Sequence, residues 1–85
     1  MDMKYILFRQ PAYILAKLED GMRVSDVRSP VHCTYTHVWK VIQLFVREGF
    51  VNVDELTKDI HRRKYNLTNK GKKIQYHIRE LMEVL

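Results

Sequence analysis

Apolar residues recur along this chain at two periods, and the change from one to the other divides it into elements. Ile14, Leu15 and Leu18 fall at helical spacing behind Pro11, whose missing N–H costs nothing in a first helical turn, and Asp20-Gly21 closes the run. A helix over about residues 10–20 is expected. Just upstream, Tyr5-Ile6-Leu7-Phe8 is apolar and short, so it either extends this helix or forms an arm that packs on a partner chain. Met22-Arg23-Val24 reads as extended, and Ser25 followed by Asp26 starts a second helix. Pro30 removes one hydrogen bond and crowds the carbonyl four residues back, so this helix should be short, kinked or restarted at Ser29.

The third helix carries the clearest periodicity, with Thr34 or Thr36 as its cap and Val38, Val41, Ile42 and Phe45 on one face before Gly49 ends it. The period then drops to two. Val51 and Val53 alternate with Asn52 and Asp54, and Tyr65 and Leu67 alternate with Lys64 and Asn66, as in two half-buried strands. A loop around Thr57-Lys58-Asp59-Ile60-His61 joins them. Asn69 is placed to cap a last helix whose apolar stripe is Ile74, Ile78, Leu81 and Leu85.

Three helices, a hairpin and a closing helix make an α+β plan, that of a winged helix-turn-helix domain. The 85 residues suffice for one such domain over 1–85, with the helix from about 69 to 85 available for dimerisation. Val24-Ser25-Asp26-Val27 through Val38 resembles the helix-turn-helix of MarR-type regulators, as do Val38, Val41, Ile42, Phe45, Gly49 and Phe50 its third helix and exit. Leu67-Thr68-Asn69-Lys70-Gly71 is similar to the phrase that follows that family's wing, and the likeness covers about residues 12–74. Three positions depart from the pattern. His32 stands where the family commonly has glycine, Arg28 where a small residue is usual, and Asp59-Ile60-His61-Arg62 is one residue longer than the family's wing element. The resemblance implies a small transcription regulator that binds double-stranded DNA, with the third helix in the major groove and the wing at the minor groove.

Composition agrees with a polyanion partner: fifteen Lys and Arg outweigh ten Asp and Glu, for a formal charge of +5. With Val38, Val41, Ile42 and Phe45 turned inward, Thr36, His37, Trp39, Lys40 and Gln43 lie on the outer side of the third helix or its flanks. Lys40 suits guanine or phosphate, Gln43 suits adenine, and Thr34, Tyr35 and Thr36 suit phosphates or a thymine methyl at the helix start. Trp39 either touches DNA or packs against the wing or second helix. His61, Arg62, Arg63 and Lys64 give the wing four cations; read as strand neighbours, Arg62 and Lys64 share one face and Arg63 takes the other. Lys70, Lys72 and Lys73 are solubility residues or supports for backbone contacts.

Other chemistries are poorly served. His32, Cys33 and His37 are close in sequence, yet Cys33 falls where a buried apolar side chain belongs, so no metal or other cofactor is expected. Without a glycine-rich phosphate loop, a nucleophile elbow or paired carboxylates, the chain does not read as an enzyme. The lone cysteine, and the lack of an apolar run of ~20 residues, lead to a cytoplasmic expectation with no membrane partner. Since the chain is shorter than full-length MarR-type proteins, no small-molecule effector is expected. Leu44 and Val46 lie off the core stripe and keep a protein–protein module open as the alternative. A homodimer is expected through Ile78, Leu81 and Leu85 with Ile6, Leu7 and Phe8, which need a cover beyond the core.

Overall fold

The computed structural model describes residues 11–54 and 56–84. Helix α1 occupies residues 11–17. It is followed by α2 (Val24–Val31), α3 (Tyr35–Arg47), β1 (Val51–Val53), β2 (Tyr65–Leu67) and α4 (Asn69–Val84), with a 3-10 turn at Ile60–Arg62 between the strands. Element for element this is the α+β winged-helix plan expected from the periodicity. The apolar arm at Ile6, Leu7 and Phe8 lies outside the described residues, as does Leu85.

Helix α1 stops earlier than Gly21 because its last carbonyls are taken over by α4. Gln75 Nε2 donates to the carbonyls of Leu15 (2.8 Å) and Leu18 (2.6 Å), and Arg79 Nε donates to that of Ala16 (2.9 Å). Helix C-termini leave four carbonyls without intrahelical partners, so these side-chain donors complete the end of α1 from a distant element.

Helix α2 begins at Val24, and its N-cap is Arg23 rather than Ser25, two residues earlier than expected. The reason is Asp26, whose carboxylate accepts from the Arg23 backbone N–H at 3.0 Å and from its guanidinium at 3.3 Å. Those two bonds hold the Asp26 carboxyl below its ordinary pKa. Of the alternatives that Pro30 raised, the helix is short and is not restarted at Ser29. Pro30 sits one residue from the end of an eight-residue helix, where the lost hydrogen bond affects only the final turn. His32 then takes a left-handed conformation, φ 55°, at the C-cap. A Cβ is unfavourable at positive φ, although histidine tolerates it better than most.

Thr34 is the cap of α3, its hydroxyl accepting from the His37 N–H at 3.2 Å. Val38, Val41, Ile42 and Phe45 are buried as their spacing required. The strands pair antiparallel with Val51 opposite Leu67 and Val53 opposite Tyr65, and Val51 and Tyr65 both point into the core. Residues 20–22 add a further rung on the other side of β2. Tyr65 N–H donates to Met22 O and Gly21 N–H to Tyr65 O, each at 2.9 Å, while the Asp20 carboxylate accepts from the Leu67 N–H at 2.8 Å.

Thr68, not Asn69, caps α4: its hydroxyl accepts from Gly71 N–H (3.0 Å) and donates to the Gly49 carbonyl (2.6 Å). Both residue types make good caps, and the one whose hydroxyl also reaches Gly49 prevails. Gly71 packs so tightly on the Phe50 backbone that a side-chain carbon there would overlap the Phe50 carbonyl. The core gathers Ile14, Leu18, Val24, Val27, Val38, Ile42, Val51 and Tyr65, with Ile74 and Ile78 half-buried against it. Beyond Ile78 the stripe leaves the core, and Leu81 is 56% exposed. Among the described residues no helix is long and apolar enough to cross a membrane.

Candidate nucleic-acid interface

The exposed face of α3 is a stripe of Thr36, Lys40, Leu44 and Arg47, flanked at the helix start by exposed Thr34. Burying Val38, Val41, Ile42 and Phe45 forces these four outward, because one helix turn separates each from the next. Of the expected groove residues, Thr34, Thr36 and Lys40 are therefore where the helical wheel put them. Arg47, at the far end of the same stripe, is a cation that the sequence reading left out although its spacing from Lys40 pointed to it.

Four other expected readers, Tyr35, His37, Trp39 and Gln43, are partly buried. Gln43 is half-buried and its side-chain amide donates to the Tyr65 hydroxyl at 3.1 Å, tying α3 to β2. Trp39 is half-buried against the core. His37 has its Nε2 buried without a hydrogen-bond partner, so that nitrogen does not face a groove. Tyr35 packs at the edge of the core and shares a hydrogen bond with Nδ1 of His61 (2.8 Å), their rings tilted with centroids 5.2 Å apart. Burial raises the Tyr35 phenol above its ordinary pKa.

The wing thus lies along one flank of α3, its base fixed by Gln43 and Tyr65 and its tip by Tyr35 and His61. The strand alternation expected for Arg62, Arg63 and Lys64 does not occur, because Ile60–Arg62 is a 3-10 turn and β2 begins only at Tyr65. Asp59 starts that turn, its carboxylate accepting from the His61 N–H at 3.0 Å. Arg62 is exposed beside Asp59 (3.6 Å), and Lys64 is exposed. Arg63 is half-buried and bonds the Thr57 carbonyl at 2.9 Å, so it braces the loop.

Other groups singled out in the sequence have structural duties. Cys33 is half-buried against the core and its thiol donates to the Val31 carbonyl. Lys70 reaches the Glu48 carbonyl and sits over the Phe50 ring, and Lys72 lies 3.6 Å from the Asp20 carboxylate. Val46 packs on the core, whereas Leu44 is 45% exposed.

No protein-family model matches the sequence, and no curated protein matches it either. Solved structures do match. AF1382 from Archaeoglobus fulgidus superposes with a TM-score of 0.82 at 20% identity, over 98% of this chain and 96% of that one. Sso10a-2, a DNA-binding protein from Sulfolobus solfataricus, gives 0.70 at 24% identity, over 99% and 81%. A MarR transcriptional regulator from Methanosarcina mazei Go1 gives 0.71 at 24% identity, over 94% of this chain but only 61% of the regulator. Element order, strand register and these superpositions agree: the chain has the winged helix-turn-helix fold.

Proposed function

We propose that the chain binds double-stranded DNA as a small, sequence-specific transcription regulator, placing α3 in the major groove and the wing at the adjacent minor groove. The observation that carries this reading is the tie between Tyr35 and His61, which fixes a cation-bearing wing tip beside the first turn of α3. One continuous surface then presents Thr34, Thr36, Lys40 and Arg47 from the helix and His61, Arg62 and Lys64 from the wing, all exposed. The charge of +5 supports it, as does the description of Sso10a-2 as DNA-binding and of the Methanosarcina protein as a transcriptional regulator. Lys40 reads guanine or contacts phosphate, Leu44 meets a thymine methyl, and the wing cations neutralise phosphate. Gln43 acts indirectly, by holding the wing.

The site works in duplicate. Leu81 and Val84 stand exposed on the outer end of α4, and a second copy of that helix covers them in a twofold dimer that reads two half-sites about one DNA turn, ~34 Å, apart. Leu44, at the middle of the exposed α3 stripe, favours the second reading, a protein-binding module.

Selection of bound duplexes from a random pool, followed by anisotropy at several salt concentrations, separates the two. DNA binding through several phosphates weakens steeply with salt, whereas an apolar protein interface barely responds. On the selected duplex, Lys40→Ala shifts base preference, and Arg62→Ala with Lys64→Ala weakens all sequences alike. Absence of any selected sequence, or affinity indifferent to salt, would overturn the proposal.

A further inference from the structure

Arg28 and His32, two of the three places where the sequence departs from the MarR-type pattern, line one open cleft with Ser25, Ser29, Cys33 and Thr34. Ser25, Arg28 and Ser29 recur at i, i+3 and i+4 on the exposed side of α2, His32 follows at its C-cap, and Thr34 caps α3. The cleft therefore lies at the turn between the two helices, beside the start of the exposed α3 stripe. No carboxylate among the described residues lines it. Asp26, the nearest in sequence, stands two positions from Arg28 and so on another side of the helix, and its carboxylate forms an ion pair with Arg23 at 3.3 Å. Lys64 is a second cation acting on that carboxylate.

The donors of the cleft are held in place without being used up. Arg28 Nε donates to the Cys33 carbonyl at 3.2 Å, which ties the guanidinium to the turn, and its charge enters no ion pair among the described residues. The Thr34 hydroxyl accepts from the His37 N–H at 3.2 Å and keeps its own proton to give. Ser25 and Ser29 are exposed and bring two more hydroxyls, and His32 brings an imidazole. Cys33 adds no donor, because its thiol already donates to the Val31 carbonyl at 3.4 Å. A guanidinium anchored through one nitrogen, with hydroxyls on both helices, matches a phosphate, whose several oxygens accept from different directions at once. A carboxylate offers only two.

Resting on the DNA-binding reading above, we propose that this cleft is a phosphate site, filled by one backbone phosphate of the duplex that α3 enters, with Arg28 as its cation and Ser25, Ser29, His32 and Thr34 around it. Such a contact sets the register of α3 in the groove and carries no base information of its own. It also gives the two departures from the family pattern a common role.

The test uses the full chain and a selected duplex in which single backbone phosphates are replaced, one at a time, by neutral methylphosphonates. For wild type, one such replacement weakens binding about tenfold, the loss expected when a hydrogen bond to a charged group is removed. Arg28→Gln weakens the unmodified duplex by a similar factor, lowers the slope of log affinity on log salt by about one, keeps the selected bases, and no longer responds to that one replacement. Arg28→Lys restores the slope. Should Arg28→Gln fail to fold, Ser25→Ala combined with Ser29→Ala takes its place in the same cycle. Losses that simply add at every phosphate exclude the backbone as the source, and inorganic phosphate titrated against the free protein then decides. Shifts of the Arg28 and His32 side-chain NMR signals with phosphate but not with chloride assign the cleft to a free phosphate, and no shift overturns the site. Failure to bind any duplex sinks the DNA reading, and the same titration then judges the cleft alone.

Discussion

The Tyr35 hydroxyl and Nδ1 of His61 meet at 2.8 Å across 26 positions of sequence, one on the first turn of α3 and the other in the wing. Removing that hydroxyl with Tyr35→Phe deletes one hydrogen bond, a cost of about 0.5–1.5 kcal/mol, so the fold survives with a modestly lower melting temperature. The alkaline behaviour changes more distinctively. Burial, then the neighbouring Tyr65 and Asp59, push the Tyr35 phenol above its ordinary value of 10.0, so the fold prefers the neutral form. That contribution is complete below pH 10 and is lost as pH rises through the higher folded value. Wild type should therefore lose stability in alkali by a component that Tyr35→Phe lacks, and ultraviolet titration should show one fewer late-ionising phenol. Tyr76, also raised, because Glu80 accepts its hydrogen bond, stays in both proteins as a reference.

Gly71→Ala tests the close approach of α4 to the Phe50 backbone. The added methyl group meets the Phe50 carbonyl rather than a yielding side chain, so α4 must shift away from the turn after α3. Overpacking of this kind costs roughly 1–3 kcal/mol, a large share of the ~5 kcal/mol expected of so small a domain. Urea unfolding should show a lowered midpoint. An unchanged midpoint would mean that α4 starts with more room than the packing at Phe50 allows.

Gln75 is a buried polar side chain whose amide donates to the Leu15 and Leu18 carbonyls at the end of α1. Gln75→Met keeps the length but abandons the Leu15 and Leu18 carbonyls, at about 1–3 kcal/mol. Gln75→Glu is worse at neutral pH, since it presses a carboxylate against two carbonyl oxygens. Calorimetric melts should rank wild type above Gln75→Met above Gln75→Glu, and any other order would show that water reaches the end of α1.

Much of this architecture is legible without coordinates, for a definite physical reason. Val38, Val41, Ile42 and Phe45, and the alternation from Val51 to Val53 and from Tyr65 to Leu67, state which face of each element is inside, and burial obeys them. What the periodicity does not carry is who covers the flanks. A helical wheel places Gln43 beside the core but cannot show that the Tyr65 hydroxyl emerges next to it. Local cap chemistry misled in the same way: Ser25 and Asn69 are good caps, yet Arg23 with Asp26 and Thr68 with Gly49 add second bonds that only the folded chain brings together. The wing tip was the least legible part, since its 3-10 turn depends on Asp59 meeting His61 and on Arg63 reaching back to Thr57.

The rung that residues 20–22 add to β2 bears on how the molecule assembles. Tyr65, Asn66 and Leu67 each bond to partners near Gly21, 45 to 47 positions away for the last two, so the hairpin has its second edge only once the N-terminal half is in place. A two-stranded ribbon of three-residue strands is marginal alone in water. The wing therefore has no separate life as a folding unit: its amide hydrogens at Tyr65 and Leu67 should exchange with solvent only when the whole domain opens, at the rate set by global rather than local unfolding. An organism that shortened or reshaped the wing for another purpose would have to leave β2 intact, and could vary only the loop beyond Asp54 and Lys64, where the last hydrogen bond of the ribbon is made.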